Sequence, residues 1–277
     1  MIPLALDDVR ALCPGALDAR AHEITGVQID SRRVDRGDLF VAIGRGVEFR
    51  EEALERGAAA TLVPDDAFAA LAALGSAVRR RSTARLVGIT GSAGKTSTKD
   101  ILAALCRPHA RTVASEGGHN NEIGLPLTLT RIEPDTEVVI AEMGMRGIGQ
   151  IAELCALARP DVGMITSIGP VHLELLGTVD RVAQAKAEVV ASVPAGGVAI
   201  VPAGVPELAA FVRRDDVDVV YFGPGGDVTL EGFRPPLLEA RVGEERVQLE
   251  VPFTARHQAD NTLAALAAYR ALGLPLA

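Results

Sequence analysis

Short apolar runs alternate with longer stretches of helical periodicity over most of the chain that follows Arg85. Apolar runs bounded by turn residues indicate buried strands, whereas apolar positions at intervals of three and four indicate helices. The pattern predicts strands over 85–90, 137–142, 162–168 and 197–201, and helices over 95–106, 148–158, 179–193 and 259–272. Strands and helices that alternate in this way indicate a mostly parallel sheet flanked by helices.

The residues before Arg85 are typical of a smaller unit. They predict strands over 24–31, 38–43 and 60–63 and a helix over 51–57. We therefore predict an α/β protein in which a small N-terminal mixed α/β domain, residues 1–84, precedes a larger central domain, residues 85–277. The polar, basic run at 79–85 is interpreted as a solvated linker between them. Three alternating segments predict a small antiparallel insert, over 228–230, 238–242 and 247–251.

Composition and charge narrow the classes of function. The 277 residues carry 28 Lys and Arg against 36 Asp and Glu, a formal net charge of −8, and only 3% are aromatic. An acidic chain with few stacking side chains disfavours binding to nucleic acid or to an anionic membrane, but it allows a local phosphate pocket. The sequence begins without the features of a signal peptide, and its three distant cysteines predict neither disulfides nor a zinc site. We expect a cytoplasmic monomer without membrane insertion.

A glycine-rich turn separates the predicted strand at 85–90 from the predicted helix at 95–106. Its residues are Gly91, Ser92, Ala93, Gly94, Lys95, Thr96 and Ser97. Such a turn directs successive backbone N–H groups, together with the positive end of the helix dipole, towards one anion. We expect Lys95 to contact the β- and γ-phosphates of a nucleotide and the Thr96 hydroxyl to bind Mg²⁺. The alternative is a tight turn followed by a surface lysine.

A series of motifs after Arg85 carries a family resemblance. In chain order they are TGSAGKTS from Thr90, NNEIGLPLT from Asn120, EMG from Glu142, ITSIGPVHLE from Ile165, AKAE from Ala185 and RHQADNTLAA from Arg256. The first resembles the phosphate loop of the Mur ligases and of the related folylpolyglutamate synthases. The second is similar to the segment typical of the Mur ligases that add D-alanyl-D-alanine. The chain therefore resembles a Mur ligase over nearly all of residues 85–277, with Ser167 where the family pattern commonly has Asn.

The resemblance implies an ATP-dependent ligase that joins a carboxylate to an amine through an acyl phosphate. It assigns catalytic roles to Lys95, Lys186 and His172. It also implies that Mg²⁺ is bound by Thr96, Glu142, His172 and Lys186. Lys186 would serve as a ligand only after CO₂ has converted its ammonium group to an anionic carbamate.

The residues alone permit simpler interpretations of the same side chains. Glu142 is then a solvated carboxylate at the end of a strand, and His172 is a structural histidine. Lys186 is an ordinary helix-surface lysine paired with Glu188 or Asp180. These alternatives stay open on sequence grounds.

The resemblance also assigns residues to the nucleotide base and to the substrate. Asn261 is expected at the adenine edge, since its amide both donates and accepts, with His257 nearby. Asn120 and Asn121 are expected to bind substrate or to order the phosphate site. The alternatives are a polar residue at the start of a helix and a turn-forming pair. Gln258 departs from the family pattern, which usually has Asn there.

Part of the N-terminal domain is similar to the uridine-diphosphate-binding region of the family. The similarity lies in DSRRV at 30–34 and GDLFVA at 37–42. It implies that Ser31 and Arg32 bind a pyrophosphate. A merely structural Ser-Arg pair at the end of a strand is the alternative, and GVEFR at 46–50 stands where this type of ligase usually has D-G-H-x-F.

We therefore predict an ATP- and Mg²⁺-dependent ligase of peptidoglycan precursor synthesis that adds D-alanyl-D-alanine to UDP-N-acetylmuramoyl-tripeptide. The family pattern includes a C-terminal ligase domain that these 277 residues lack. The resemblance thus implies nucleotide binding without efficient ligation for this chain alone. The alternatives are another ligase of this group, either MurE-like or a folylpolyglutamate synthase, and a non-catalytic nucleotide-binding module.

Overall fold

The structure is a computed structural model that describes residues 1–276. These residues form two compact units. The N-terminal unit comprises Met1–Thr83 and Glu122–Thr136, and the central unit comprises Ala84–Asn121 and the chain from Glu137 onwards. This division differs from the two continuous segments expected from the sequence, because residues 122–136 pack with the N-terminal unit. No helix in the described part of the chain is both long and apolar enough to cross a membrane.

The helices and strands follow one another along the chain in two groups. The first group is β1 (Leu4–Ala5), α1 (Leu6–Leu12), β2 (Gly15–Ala19), β3 (Glu23–Ile24), β4 (Gly26–Gln28), β5 (Asp38–Val41), α2 (Arg50–Glu55), β6 (Ala60–Pro64) and α3 (Ala67–Arg81). The second group is β7 (Arg85–Thr90), α4 (Lys95–Cys106), β8 (Thr112–Ala114), α5 (Gly124–Leu129), β9 (Val138–Glu142), α6 (Gln150–Ala158), β10 (Val162–Ile165), α7 (Leu173–Leu176), α8 (Val179–Ala191), β11 (Val198–Pro202), β12 (Asp218–Phe222), β13 (Val228–Arg234), β14 (Leu237–Val242), β15 (Glu245–Glu250) and α9 (Arg256–Ala271).

The N-terminal unit contains a mixed four-stranded sheet in the order β2-β6-β5-β4, beside the antiparallel pair β1 and β3. The single strand expected over 24–31 is wrong. The chain instead forms β3 and β4 and then a 3-10 turn at Ser31–Arg33. Asp30 accounts for this ending, because its carboxylate accepts the N–H of Arg32 over 3.0 Å and favours the turn over a continued strand.

The basic run at 79–85 does not form a solvated linker. Three of its four arginines, Arg79–Arg81, are in the last turn of α3, and Arg79 is only 8% exposed, while Arg85 begins β7. Asp66 caps the start of this helix, because its carboxylate accepts two N–H groups of the first turn, and cationic residues at the C-terminus of the helix suit its dipole. The same helix packs against α5: a Cβ atom on Gly75 would lie 2.9 Å from the Cα atom of Pro126. This contact places residues 122–136 in the N-terminal unit.

The central unit is built on a nine-stranded sheet in the order β15-β14-β13-β12-β11-β10-β7-β9-β8. The strands from β8 to β12 are parallel, and β13, β14 and β15 form an antiparallel meander. The predicted α/β class with a mostly parallel sheet is confirmed. The meander is not a separate insert, because β13 pairs with β12 at Val228 and Phe222 and so extends the same sheet.

Helices cover both faces of the parallel strands. Val87, Ile140 and Met164 share one buried cluster with the apolar side of α4 and α9. Because side chains alternate along a strand, the intervening residues face the other side. On that side Gly163 admits α8, since a Cβ atom there would lie 2.8 Å from the carbonyl oxygen of Val189. The ends of β7, β9 and β10 are thereby fixed at one edge of the sheet.

Glu188 of α8 caps the start of α6. Its carboxylate accepts the N–H of Gly149 over 2.6 Å and the N–H of Ala152 over 3.0 Å. We expect Glu188→Ala to lower the free energy of unfolding by about 1–3 kcal/mol, because two N–H groups at a positive helix end lose a charged acceptor. Chemical denaturation measures this change, with Glu188→Gln as the milder variant. An unchanged midpoint for Glu188→Ala would contradict the capping role.

Candidate functional site

The turn between β7 and α4 requires glycine at two positions. Gly91 has a φ of +154°, and a Cβ atom there would lie 1.9 Å from the hydroxyl oxygen of Thr166. Gly94 has a φ of +83°, and a Cβ atom there would lie 2.4 Å from Oδ1 of Asn261. A side chain at either position would displace a neighbouring polar group. The turn is therefore packed closely against the segment after β10 and against α9.

The segment that follows β10 holds the turn in shape with side-chain hydrogen bonds. The Thr166 hydroxyl donates to the carbonyl of Ala93 over 2.6 Å. The Ser167 hydroxyl accepts the N–H of Ala93 over 2.9 Å, and the Ser92 hydroxyl accepts the N–H of Gly169 over 3.0 Å. The conformation of the turn is thus set from the neighbouring strand as well as by its own glycines.

Lys95 begins α4, and its side chain folds back over the turn. Its Nζ donates to the carbonyl of Gly91 over 2.9 Å. Burial lowers the pKa of this ammonium group, and the carboxylate of Glu142 opposes the effect. The 12 residues of α4 add the positive end of their dipole at the same place. Two sources of positive charge therefore meet at the turn.

Glu142 joins three of the predicted site residues. It ends β9 and is only 1% exposed. Its Oε2 accepts a hydrogen bond from the Thr96 hydroxyl over 2.9 Å, and its Oε1 accepts one from the Asn120 amide over 2.8 Å. The backbone carbonyl of Asn120 accepts the N–H of Gly144 over 2.7 Å, which holds the Asn120 backbone beside the chain that follows β9. A helix and a loop thus each contribute one side chain to the buried carboxylate at the end of β9, which is not the solvated group of the simpler interpretation.

Lys186 lies on the buried face of α8 and is 3% exposed. Burial lowers the pKa of Lys186 from 10.5 to about 7, and the positive charge of Lys95 adds to the shift. The interpretation as a helix-surface lysine is therefore wrong. Glu188, its suggested partner, instead binds the start of α6, and Asp180 is exposed.

Two lysines and one carboxylate are the ionisable groups of the site, and burial disfavours the charged form of both lysines. The charges of Lys95 and Lys186 repel each other. The carboxylate of Glu142, which is hydrogen-bonded to Thr96, attracts the charge of Lys95. Among residues 1–276, no group of three or more His, Cys, Asp or Glu side chains could hold a metal ion. The arrangement suits an anionic ligand that brings its own oxygen atoms to a metal, as a nucleoside triphosphate does.

Four further predicted residues of the central unit differ in their positions. Asn261 is half-buried on α9, with its Oδ1 facing Gly94 of the turn. His257 lies exposed in the first turn of the same helix, and Asn121 is also exposed. His172 precedes α7 with a φ of 54°, and its side chain is 41% exposed, with Nδ1 3.9 Å from the Glu174 carboxylate. The structure therefore brings Asn261 to the turn and leaves the other three at the surface of the central unit.

Ser31 and Arg32 lie in the N-terminal unit, where each contacts a neighbouring carboxylate. The buried Ser31 donates its hydroxyl proton to Glu52 over 3.2 Å. Arg32 donates from Nε and Nη2 to Asp30 over 2.9 and 2.8 Å. These hydrogen bonds lower the pKa of the Asp30 carboxyl to about 2. The guanidinium of Arg32 is nevertheless exposed, with 79% of the side-chain surface open to solvent.

Comparison with known proteins identifies the family of the chain that has this site. A family model described as the Mur ligase middle domain matches residues 89–269. The chain belongs to the Mur ligase family. A curated relative from Synechocystis sp. is a UDP-N-acetylmuramoyl-tripeptide--D-alanyl-D-alanine ligase. The two sequences are 33% identical over an alignment 310 residues long, which covers 98% of this chain and 64% of the relative.

Solved structures agree with this assignment. This Mur ligase chain superposes on MurF from Acinetobacter baumannii with a TM-score of 0.85 and 27% identity, over 99% of this chain and 66% of the other. It superposes on the MurF ligase from Thermotoga maritima in complex with ADP with a TM-score of 0.78 and 28% identity, over 91% and 64%. The chain therefore spans less than two thirds of the length of these relatives, and the likeness covers their N-terminal and central domains.

Sequence reasoning missed three side chains that support the site of this Mur ligase. Thr166 lies inside the motif that begins at Ile165, and Ser115 lies five residues before the motif that begins at Asn120; their hydroxyls bind backbone groups of the turn and of β9. Lys99 occupies the apolar side of α4, where Leu102 and Cys106 are also buried. A lysine at a position of helical apolar periodicity is the signal that identifies it.

Proposed function

We propose that this chain is the N-terminal and central part of an ATP-dependent ligase that adds D-alanyl-D-alanine to UDP-N-acetylmuramoyl-tripeptide in the cytoplasm. The observation that carries the proposal is the contact of Thr96 and Asn120 with the buried carboxylate of Glu142, beside the turn that holds Lys95. The printed activity of the Synechocystis relative supports the choice of substrates. The ADP complex of the Thermotoga maritima relative supports the choice of nucleotide.

The residues present fit magnesium-bound ATP. Magnesium at phosphoryl-transfer sites is typically held by one or two carboxylates together with phosphate oxygens, so a cluster of acidic side chains is not required. Thr96 and Glu142 would hold Mg²⁺, and the backbone of Gly91–Ser97 with Lys95 would hold the phosphates. Bound ATP and Mg²⁺ supply the transferable phosphoryl group and neutralise part of its charge.

The chain's own groups have distinct tasks in this proposal. Lys95 exchanges its hydrogen bond to Gly91 for one to a phosphate, which relieves the loss of solvation that lowers its pKa. Asn120 holds one oxygen of Glu142, so that the other faces Thr96 and the metal position. Asn261, on α9 beside Gly94, contacts the nucleotide base, with His257 at the edge of that contact.

Lys186 is proposed to act as a carbamate. Its ammonium group first loses one proton, and the neutral amine then attacks CO₂: a C–N bond forms, one C=O bond opens to a single-bonded oxygen anion, and the nitrogen releases a second proton, so that a buried cation becomes a buried anion. Two observations support this step: the side chain is 3% exposed, and the charge of Lys95 disfavours a second ammonium group nearby. The carbamate and His172 would complete the metal ligands of the family pattern.

The substrate groups are assigned to both units. Ser31 and Arg32 would bind the uridine-diphosphate group through a hydroxyl and an exposed guanidinium. Asn121 would contact the acceptor, beside Asn120. The proposal places recognition of the nucleotide sugar in the N-terminal unit and activation of its carboxylate in the central unit.

Two assays test the proposed function. Calorimetry of this chain with a non-hydrolysable ATP analogue should show saturable binding. The affinity for the analogue should be higher when Mg²⁺ is present. A protein that joins these residues to a C-terminal ligase domain should release phosphate from ATP only when UDP-N-acetylmuramoyl-tripeptide and D-alanyl-D-alanine are both present. Absence of nucleotide binding would refute the proposal. Binding without phosphate release would identify the non-catalytic module instead.

A further inference from the structure

Lysine is rare in this chain and is confined to one region. Of the 28 basic residues three are lysines, Lys95, Lys99 and Lys186, and the remainder are arginines. Lys95 and Lys99 lie one helical turn apart on α4, and Lys186 interacts electrostatically with Lys95. The proposed function uses the first and the last. Lys99 has no part in it, although it is as deeply buried as Lys186.

The ammonium group of Lys99 is buried with specific partners. Its side chain is 3% exposed, and Nζ donates to the carbonyl of Ser115 over 2.9 Å. Nζ also lies 2.9 Å from the carboxylate of Asp100, whose side chain is 66% exposed. Burying a charged group costs free energy unless it is paired and hydrogen-bonded. A methionine would fill similar space without that cost, so volume alone does not explain a lysine here.

Ser115 connects Lys99 to Glu142, the carboxylate proposed to bind Mg²⁺. It follows β8, and its N–H donates to the carbonyl of Ile140 over 3.0 Å. Its hydroxyl accepts the backbone N–H of Glu142 over 3.1 Å. The same stretch of chain continues to Asn120, whose amide holds the Glu142 side chain. The bond from Lys99 therefore anchors the start of a segment that touches Glu142 at both ends.

The chemistry of this position favours lysine over arginine. An ammonium group is compact and places three donors around one atom, which suits a buried carbonyl and one carboxylate. A guanidinium has five donors in a rigid plane, and more of them would stay unsatisfied in the same space. This difference explains why a chain that otherwise uses arginine has a lysine at this point of α4.

We propose that Lys99 is a positioning residue, which ties the Ser115–Asn120 segment to α4 and so fixes Glu142 beside Thr96 for the metal. The proposal rests on the proposed function, since it concerns the same nucleotide site. Lys99 contacts Ser115 and not the carboxylate itself, and therefore its effect passes through the segment. It should govern how strongly Mg²⁺ enhances nucleotide binding, and not the contact of phosphate with Lys95.

The test compares Lys99→Met and Ser115→Ala with the wild-type chain. Calorimetry with a non-hydrolysable ATP analogue, in EDTA and in saturating Mg²⁺, gives the enhancement of affinity by the metal. We expect both variants to lose at least tenfold of that enhancement and to bind the metal-free nucleotide within about twofold of wild type. We also expect hydrogen exchange at residues 115–120 to rise at least tenfold in Lys99→Met. Asp100→Asn, which changes the exposed partner, should retain the wild-type metal enhancement.

Each outcome has a defined meaning. Wild-type enhancement and wild-type exchange in Lys99→Met would overturn the positioning role. If Lys99→Met fails to fold, Ser115→Ala decides, and wild-type enhancement there would overturn the proposal as well. Absence of nucleotide binding by the wild-type chain would refute the proposed function, and the exchange measurement would then still show whether Lys99 holds the segment.

Discussion

Lys186→Met is expected to raise the free energy of unfolding by about 3–5 kcal/mol at pH 7 in buffer free of CO₂. The wild-type side chain is 3% exposed, and its pKa falls from 10.5 to about 7 because burial disfavours the charged form. Methionine fills similar space without a charge. The variant therefore lacks the unfavourable free energy of burying an ammonium group, which lowers the stability of the folded wild-type chain.

The pH dependence identifies the cause of this effect. Between pH 7 and 10.5 the unfolded chain holds a proton on Lys186 that the folded chain has lost, so wild-type stability rises with pH through this window. Below pH 7 both states are protonated, and the cost stays constant. The advantage of the methionine variant should therefore be largest at pH 7 and below, and it should shrink steadily towards pH 10.5.

Denaturant unfolding at several pH values measures this difference, with Arg181→Met as the control. Arg181 lies on the exposed side of the same helix, so its loss should change stability little and without this pH dependence. Bicarbonate at constant pH should stabilise the wild-type chain and leave Lys186→Met unchanged if the carbamate forms. A methionine variant with a wild-type pH profile would show that the pKa of Lys186 is the same in the folded and unfolded chain, and it would contradict the expected cost of burying this charge.

The sequence predicted the central unit well where strands are long and strongly apolar. The bounds of β7 and α4 agree with the prediction, because a buried strand, a glycine turn and an amphipathic helix follow one another without ambiguity. Two strands were missed. Thr112–Ala114 is only three residues long, and Asp218–Phe222 has an exposed start next to charged residues, so neither has a clear period.

Long-range packing accounts for the part of the fold that periodicity does not contain. Residues 122–136 join the N-terminal unit because α5 packs on α3 at Gly75, which no local pattern signals. The basic run at 79–85 was misassigned for a related reason: its arginines suggest solvent, yet the Ala- and Leu-rich helix continues through the first three of them, to Arg81. Tertiary contacts decided both cases.

Individual residues of the candidate site could be predicted only where they belong to a motif of known chemistry. Thr96, Glu142 and Asn120 come from three separate motifs, and the structure joins them by direct hydrogen bonds. Lys99 and Ser115 lie outside the motifs, after the first and before the second, and their roles depend on a contact across 16 positions of sequence. Hydrogen bonds of this kind need coordinates, since neither partner has a distinctive spacing.

Lys95→Met is expected to raise the Kd for a magnesium-bound, non-hydrolysable ATP analogue by about 10- to 150-fold, since a charge-assisted hydrogen bond contributes about 1.5–3 kcal/mol. Lys95 is the cation whose hydrogen bond goes to the turn itself, at the carbonyl of Gly91. Its removal leaves the α4 dipole and the backbone N–H groups to bind the phosphates. The loss should therefore be large without abolishing binding.

Calorimetry checks this result, and Arg107→Met is the matched control. Arg107 is exposed at the far end of α4, so its loss removes a positive charge from the same helix without touching the turn. We expect the Kd of Arg107→Met to stay within about twofold of wild type, because exposed charges at that distance are largely screened.

A second consequence of Lys95→Met distinguishes the loss of a phosphate contact from a general loss of affinity for the nucleotide. Because the charge of Lys95 lowers the pKa of Lys186, the methionine variant should shift the Lys186-linked stability profile to higher pH. Wild-type affinity together with an unshifted profile would mean that Lys95 neither contacts the phosphates nor faces Lys186.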